Sequence, residues 1–347
     1  MSRPMASQSL SFPCDAPAAA TVTEVAPGVL WTRVPLPFQL NHVNIYLIED
    51  HDGWAVLDTG IDDTATRGVW EALLHGPLAG RRLTQVVVTH YHPDHIGLAG
   101  WLAERFGLPV LTSYSSYLTC LNISLNPGAL EARPHTEFYL RHGMSEEAAA
   151  QVATQGHRYL DMVWPLPSTF SRLGAGDTLA IGGRRFDILV GEGHAPEQLM
   201  LYCAEEKLFF AADQVLARIT PNISVSAVDP EGDPLGLYLR SLQTIRQSVP
   251  EDALVLPGHE LPFRGLHPRC LELIAHHEER CSLIAEACAG TPRSVADLVP
   301  IVFPRPLDAH QMGFAFSEVL AHVNTVMRRG DLVWTGTDGD ITRLVSA

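Results

Sequence analysis

A chain of 347 residues, 46% hydrophobic and 18% charged, has a globular composition and exceeds the size at which a single core usually stops growing. Its formal charge of −15 at pH 7 counts against a protein whose main task is gripping phosphate backbones. No apolar run approaches the length of a membrane span. The six cysteines, Cys14, Cys120, Cys203, Cys270, Cys281 and Cys288, form no Cys-x-x-Cys pair, which excludes zinc-knuckle and dithiol motifs. Scattered thiols fit a reducing compartment.

Residues 1–20, rich in Ser, Pro and Ala, read as a loose arm without the continuous apolar stretch of a signal peptide, so a cytoplasmic protein is expected. Short β-branched segments follow at Gly28 to Val34, Val43 to Ile48 and Trp54 to Asp58. A helix is predicted over Asp63 to Leu74, then a strand over Gln85 to Thr89, a helix over Gly97 to Ala103 and a strand over Leu108 to Leu111. This alternation predicts a layered α/β fold with its chemistry at strand ends. Residues 113–170 break the alternation. Ser145 is the expected N-cap of a helix over Glu146 to Tyr159, ended by Pro165 and Pro167. An insertion of this length commonly covers a pocket.

Strands resume at Asp177 to Ile181, Arg185 to Val190, Met200 to Cys203 and Lys207 to Ala211, with Gly182-Gly183 as a hairpin turn between the first two. Asp233-Pro234 opens a helix running to Ser248, and Ala253 to Leu256 is the last strand before the pattern changes. Cys270, Ile274, His277, Cys281, Ile284 and Cys288 recur at spacings of three and four, which marks one face of a helix. On such a face His276 and His277 read as ordinary partly buried residues. A short helix at Ser294 to Leu298, a longer one at Ser317 to Met327 and a hairpin over Leu332 to Leu344 turning at Asp338-Gly339 predict a small winged-helix-like domain. The expected division is an arm at 1–20, a catalytic domain at 21–265 and a C-terminal domain at 266–347.

The run His90-Tyr91-His92-Pro93-Asp94-His95 places three imidazoles and a carboxylate directly after the apolar segment Val86-Val87-Val88. The chain must turn where a strand ends, so these side chains can converge instead of alternating across a sheet. Imidazole and carboxylate are the donors that zinc-like ions prefer. Later strand ends carry His194 within Gly191-Glu192-Gly193-His194, Asp213 after Leu208 to Ala212, and His259 after Leu254 to Gly258. Together with the run, these supply ligands for two divalent ions.

Those residues, with Leu57-Asp58-Thr59-Gly60 and Gly258-His259-Glu260, resemble the metallo-β-lactamase superfamily, most closely its glyoxalase II-like branch. The resemblance spans roughly residues 20–265 and implies a four-layer αββα sandwich with a binuclear centre at one edge. By that resemblance His90, His92 and His194 bind one ion, Asp94, His95 and His259 bind the other, and Asp213 bridges them. Asp58 is the carboxylate that orients ligands. The segment Ala195-Pro196-Glu197-Gln198 departs from the family's Gly-His-Thr/Ser-Pro-Gly-His pattern, losing a small hydroxyl residue and a trailing histidine.

The expected activity is hydrolysis of a small-molecule thioester or ester, lactones included, on two zinc ions, with iron or manganese as alternative metals. Asp94 is the expected proton carrier, and Tyr91 and Asn222 are weaker candidates for substrate contacts. Cleavage of RNA by a nuclease or phosphodiesterase is the first alternative, carried by the C-terminal extension and opposed by the acidity. A mononuclear iron enzyme resembling persulfide dioxygenases is the second. A homodimer is compatible with a small appended domain, and no membrane partner is expected.

Overall fold

The computed structural model describes residues 10–126, 133–153, 157–338 and 341–347. The chain divides into two compact units. The first comprises Met1–Ser124, Leu160–Pro221 and Ser241–Leu271, the second Leu125–Tyr159, Asn222–Arg240 and Glu272–Ala347.

In chain order the elements are β1 (Thr23–Ala26), β2 (Val29–Pro35), β3 (His42–Asp50), β4 (Gly53–Leu57), α1 (Thr64–His75), β5 (Arg82–Val87), α2 (Pro93–Ile96), α3 (Ala99–Phe106) and β6 (Val110–Thr112). There follow α4 (Tyr114–Leu125), α5 (Arg133–Arg141), α6 (Glu146–Ala153) and α7 (His157–Leu160). Next come β7 (Ser171–Arg172), β8 (Thr178–Ile181), β9 (Arg184–Gly191), β10 (Gln198–Cys203), β11 (Leu208–Ala212), α8 (Pro234–Ser248) and β12 (Leu254–Pro257). The chain finishes with α9 (Leu266–Ala287), α10 (Val295–Val302), α11 (Ala309–Arg329), β13 (Leu332–Asp338) and β14 (Ile341–Ser346).

The first unit is a sandwich of two sheets. One has strand order β1-β2-β3-β4-β5-β6-β7 and the other β12-β11-β10-β9-β8. β4, β5, β6 and β7 run parallel, as do β11 and β12, while the other neighbours are antiparallel. Every residue of β10, β11 and β12 is buried, which explains their unbroken apolar sequences. β8 alternates exposed and buried residues, as a half-covered edge strand should.

Side chains of both sheets form one core around Trp31, Tyr46, Phe186 and Phe210. The Tyr46 and Phe210 rings meet edge to face at 5.3 Å across it, and each large side chain so buried contributes roughly 1.5–3 kcal/mol. α1 and α3 pack on the first sheet, α1 through the fully buried Trp70, whose indole N–H donates to the Thr59 carbonyl. The fold is the expected αββα arrangement. At the β8–β9 turn Gly182 and Gly183 have φ of 56° and 86°, and a Cβ on Gly182 would lie 2.0 Å from the Glu49 carbonyl. Only glycine fits there.

The second unit gathers three stretches of chain. α5 and α6 pack against each other, α6 against α11, and α5 against β14. The Val225 amide donates to the Ser317 carbonyl, and Asn324 Nδ2 donates to the carbonyls of Pro230 and Gly232. α11 is longer than the predicted Ser317 to Met327 because Asp308 and Gln311 form a capping box and Gly330 closes the far end at φ 87°. α10 is capped likewise by Ser294 and Asp297 and continues past Pro300. Within the predicted helix over Glu146 to Tyr159, α6 runs to Ala153 and α7 begins at His157, while residues 154–156 and the Gly339 turn lie outside the described residues. His277 departs from the partly buried residue expected: it is fully buried. Among the described residues no helix is long and apolar enough to cross a membrane.

Candidate metal centre

Five segment ends of the first unit converge on one spot, and each uses local backbone chemistry to turn a side chain inward. β4 ends at Leu57, and Asp58 follows in the left-handed region at φ 61°, with its amide donating to the Val87 carbonyl. β5 ends at Val87, and Thr89 and His90 follow. His92 then caps α2 in an extended conformation, Pro93 takes the first helical position, and Asp94 and His95 fall within that turn. Gly193 at φ 100° precedes His194, and Ala212 at φ 46° precedes Asp213. Gly258 precedes His259: a Cβ there would sit 2.2 Å from Asp213 Oδ1 and 2.9 Å from His95 Cε1. Left-handed Asp58, Ala212 and Glu260 at one spot are the concentrated strain expected of a working site.

The converging donor atoms fall into three overlapping groups, each with its atoms within 4.8 Å of one another: His90, His92 and His194; His90, His95 and Asp213; Asp94, His95 and His259. His90 Nε2 lies 3.0 Å from His92 Nδ1. Asp213 reaches three imidazoles, with Oδ2 at 3.4 Å from His194 Nε2 and 3.2 Å from His259 Nε2, and Oδ1 at 3.5 Å from His95 Nε2. Asp94 Oδ2 lies 3.3 Å from His259 Nε2 and 3.5 Å from His95 Nε2.

Outer hydrogen bonds fix which nitrogen each imidazole offers. His95 Nδ1 donates to Asp58 Oδ2 at 2.8 Å, and His259 Nδ1 donates to the His42 carbonyl at 2.7 Å, so both present Nε2 inward. The Thr89 hydroxyl donates to Asp58 Oδ2 and its oxygen faces His90 Nδ1 at 3.0 Å, which turns His90 Nε2 inward too. The Thr89 amide donates to Asp58 Oδ1. One carboxylate thereby orients ligands in both halves of the cluster.

The donors fit a metal. His95 Nε2 and Asp213 Oδ1 are both buried and face each other at 3.5 Å without making a hydrogen bond, a separation that suits two ligands of an ion better than a direct pair. Electrostatics divide the cluster. Burial, aided by neighbouring histidines, holds His90 well below the usual imidazole range and pushes His92 down to about 3, which keeps their lone pairs free. Burial also opposes charge on His95 and His259, but Asp213 and Asp94 outweigh it, raising His95 well above its usual value and His259 to about 10. For Asp94, burial is likewise overcome by His95 and His259, leaving the carboxyl well below its usual range. A cation arriving here replaces protons on the second group of histidines.

Every residue expected as a ligand therefore reaches the cluster, and Asp58 sits behind it. Tyr91 packs edge-on against His92, with ring centroids 4.7 Å apart. Asn222 donates to Ser224 Oγ. Three contributors escaped the sequence reading. Thr89 carries its signal in standing between the strand and the histidine run. Asn44 holds the β12 exit through Nδ2 bonds to the Pro257 and Glu260 carbonyls, and His42 anchors His259 by its backbone. Nothing in their local sequence announces those roles. His42 also lines a cavity of about 400 Å³ with Arg33, Arg218 and Glu260, and burial pushes its imidazole down to about 4.

A family model described as the metallo-beta-lactamase superfamily matches residues 39–259. The chain belongs to the metallo-β-lactamase superfamily. A model described as a metallo-beta-lactamase-like C-terminal domain matches residues 281–347. Among superfamily structures, a beta-lactamase domain protein from Burkholderia ambifaria is 38% identical with a TM-score of 0.90, covering 97% of this chain and 98% of that one. A metallo-beta-lactamase family protein from Thermus thermophilus is 28% identical with a TM-score of 0.79, covering 93% and 99%. Among curated sequences, a probable metallo-hydrolase of Bacillus subtilis is 22% identical over 86% of this chain and 92% of its own length. A hydroxyacylglutathione hydrolase of Rhizobium meliloti is 22% identical over 62% of each.

The departure from the superfamily pattern after His194 has a structural account. The Glu197 carboxylate accepts from both the amide and the hydroxyl of Ser115, at 2.9 and 2.5 Å. Gln198, in place of the trailing histidine, is buried and donates through Nε2 to Gln214 Oε1, while Gln214 Nε2 donates to the Glu192 carbonyl. The two glutamines tie the His194 loop to the segment that carries Asp213.

Proposed function

We propose that the chain is a metal-dependent hydrolase that opens a thioester or ester bond, lactones included, in a small-molecule substrate, using two divalent ions of which zinc is foremost. The observation that carries this reading is the convergence of seven imidazole and carboxylate residues, with the buried His95 Nε2 and Asp213 Oδ1 facing each other at 3.5 Å without a hydrogen bond. His90, His92 and His194 would hold one ion, Asp94, His95 and His259 the other, with Asp213 shared. When bound, such ions bring the pKa of water from 15.7 toward roughly 7 and polarise a carbonyl oxygen.

The chain's own residues do the rest. Asp58 and Thr89 keep the His90 and His95 rings in one tautomer, and His42 does so for His259. Asp94, half-buried and held anionic by His95 and His259, is placed to accept the proton of the attacking water and return it to the leaving thiolate or alkoxide. Similarity to proteins named hydroxyacylglutathione hydrolase supports a thioester before other esters.

The test is metal quantification on the purified protein, followed by thioester, lactone and phosphodiester substrates on that same preparation. Turnover of a thioester or lactone with at least two ions per chain is expected. Turnover confined to phosphodiesters overturns the reading in favour of a nuclease. A single iron per chain with sulfur oxidation overturns it in favour of an oxygenase.

A further inference from the structure

We infer that the second unit carries a metal site of its own, in which His277 of α9 and Glu318 and His322 of α11 hold one zinc-class divalent cation. It shares no residue with the centre described above and does not rest on the proposed activity. Each of the three side chains offers a donor atom within 4.8 Å of the other two, and all are buried, with His277 and His322 fully so and Glu318 8% exposed. Glu318 and His322 stand at i and i+4, which places them on one face of α11.

The hydrogen bonds set the cluster up as ligands are usually set up. His322 Nδ1 donates to the Glu318 carbonyl at 2.7 Å, which fixes the tautomer and leaves Nε2 with a free lone pair. That atom faces His277 Nδ1 at 3.1 Å. Two ligand nitrogens on a tetrahedral zinc, each at roughly 2.0–2.1 Å, stand about 3.3 Å apart, so the observed spacing is that of two corners of one coordination sphere. Without an ion, His277 Nδ1 must donate to His322 Nε2. An ion at this position would replace that single hydrogen bond with two coordinate bonds and move the His277 proton to the buried Nε2.

Glu318 pairs with Arg280 through Oε1, which leaves Oε2 for an ion while the guanidinium steadies the carboxylate. Burial keeps both imidazoles uncharged, His277 pushed down to about 2 and His322 to about 3, the state a ligand needs. The rings of Tyr238 and His276 close around His277 at 5.5 and 5.3 Å. The Arg280 charge opposes a cation, so this site is expected to be the weaker one. An ion here would staple α9 to α11.

The experiment strips the full chain with a chelator, reloads it with excess Zn²⁺ or Co²⁺, removes free metal and counts ions per chain. His322→Gln is expected to hold one equivalent fewer than the unmodified chain and to lose part of the metal-induced rise in Tm. Equal metal content in the folded variant would overturn the inference. Should His322→Gln misfold, the variant His90→Ala/His194→Ala/His95→Ala/His259→Ala serves instead, since it removes two ligands of each first-unit ion and changes no residue of the second unit. It should retain one Co²⁺ with the visible absorption of a histidine-ligated ion, and retention of none also overturns the inference.

Discussion

The donor cluster around Asp213 and the one around His322 use the same side-chain chemistry on opposite kinds of backbone. The first is built where strands stop. It needs residues in the left-handed region, a glycine at 258 with no room for a Cβ, and a turn opened by Pro93. Irregular backbone lets seven side chains from separate segments point at one volume. The second is built on two regular helices, where the spacing of residues on a face limits what can converge, and three donors meet. Strand termini make rich sites at the cost of local strain, and helix faces make sparse ones with none.

That contrast can be broken in several places. The largest effect is expected for Asp213→Ala, which removes the one carboxylate reaching both groups of histidines: hydrolysis should fall by about 10³-fold, on the scale of losing an essential electrostatic contact. Metal analysis should show the loss of ions from the first unit alone. Asp58→Ala should weaken metal affinity by roughly 10–100-fold with all ligands still present, as measured by competition with a chelator. If affinity held, the outer hydrogen bonds would not be positioning the ligands.

Gly258→Ala should destabilise the first unit by about 1–3 kcal/mol, because the new methyl group has no space beside Asp213 and His95. Chemical denaturation checks this. Ser294→Ala removes the α10 capping box and should cost about 1 kcal/mol, with the metal content of the first unit unchanged. The smallest effect concerns the thiols. Burial pushes Cys270 and Cys281 up to about 12, so alkylation of the folded protein near pH 8 should spare them and mark the partly exposed Cys14 first. Peptide mapping would expose any error in that order.

What could be read from the sequence follows the same division. The histidine run, His194, Asp213 and His259 were legible because each stands just past an apolar strand with a turn residue beside it, a combination that ordinary solvated turns rarely repeat four times in one chain. The strands of both sheets other than β1 and β7 were legible for the same reason, their apolar patterning being strong and their ends marked by turn residues. His42 and Asn44 were not, since one works through its backbone carbonyl and the other bonds residues more than two hundred positions away. His277 was legible only as a member of an apolar stripe, because its meeting with His322 depends on how two helices pack. The helix α4 was missed because its sequence shows no clean amphipathic stripe, and the short α5 was missed although its sequence is amphipathic. The two-residue β7 is too short to announce itself.

The second unit is stitched from three stretches of chain, Leu125–Tyr159, Asn222–Arg240 and Glu272–Ala347, which alternate along the sequence with stretches of the first. A ribosome must therefore deliver nearly the whole polypeptide before α6 can meet α11 or Val225 can find Ser317. Trimming the gene after residue 271 would strand the two earlier stretches, among them the buried Phe138 and Tyr238, without their packing partners. Anyone wanting the first unit by itself would have to excise both inserted stretches, the second of them carrying the start of α8, and rejoin the ends, rather than shorten the open reading frame.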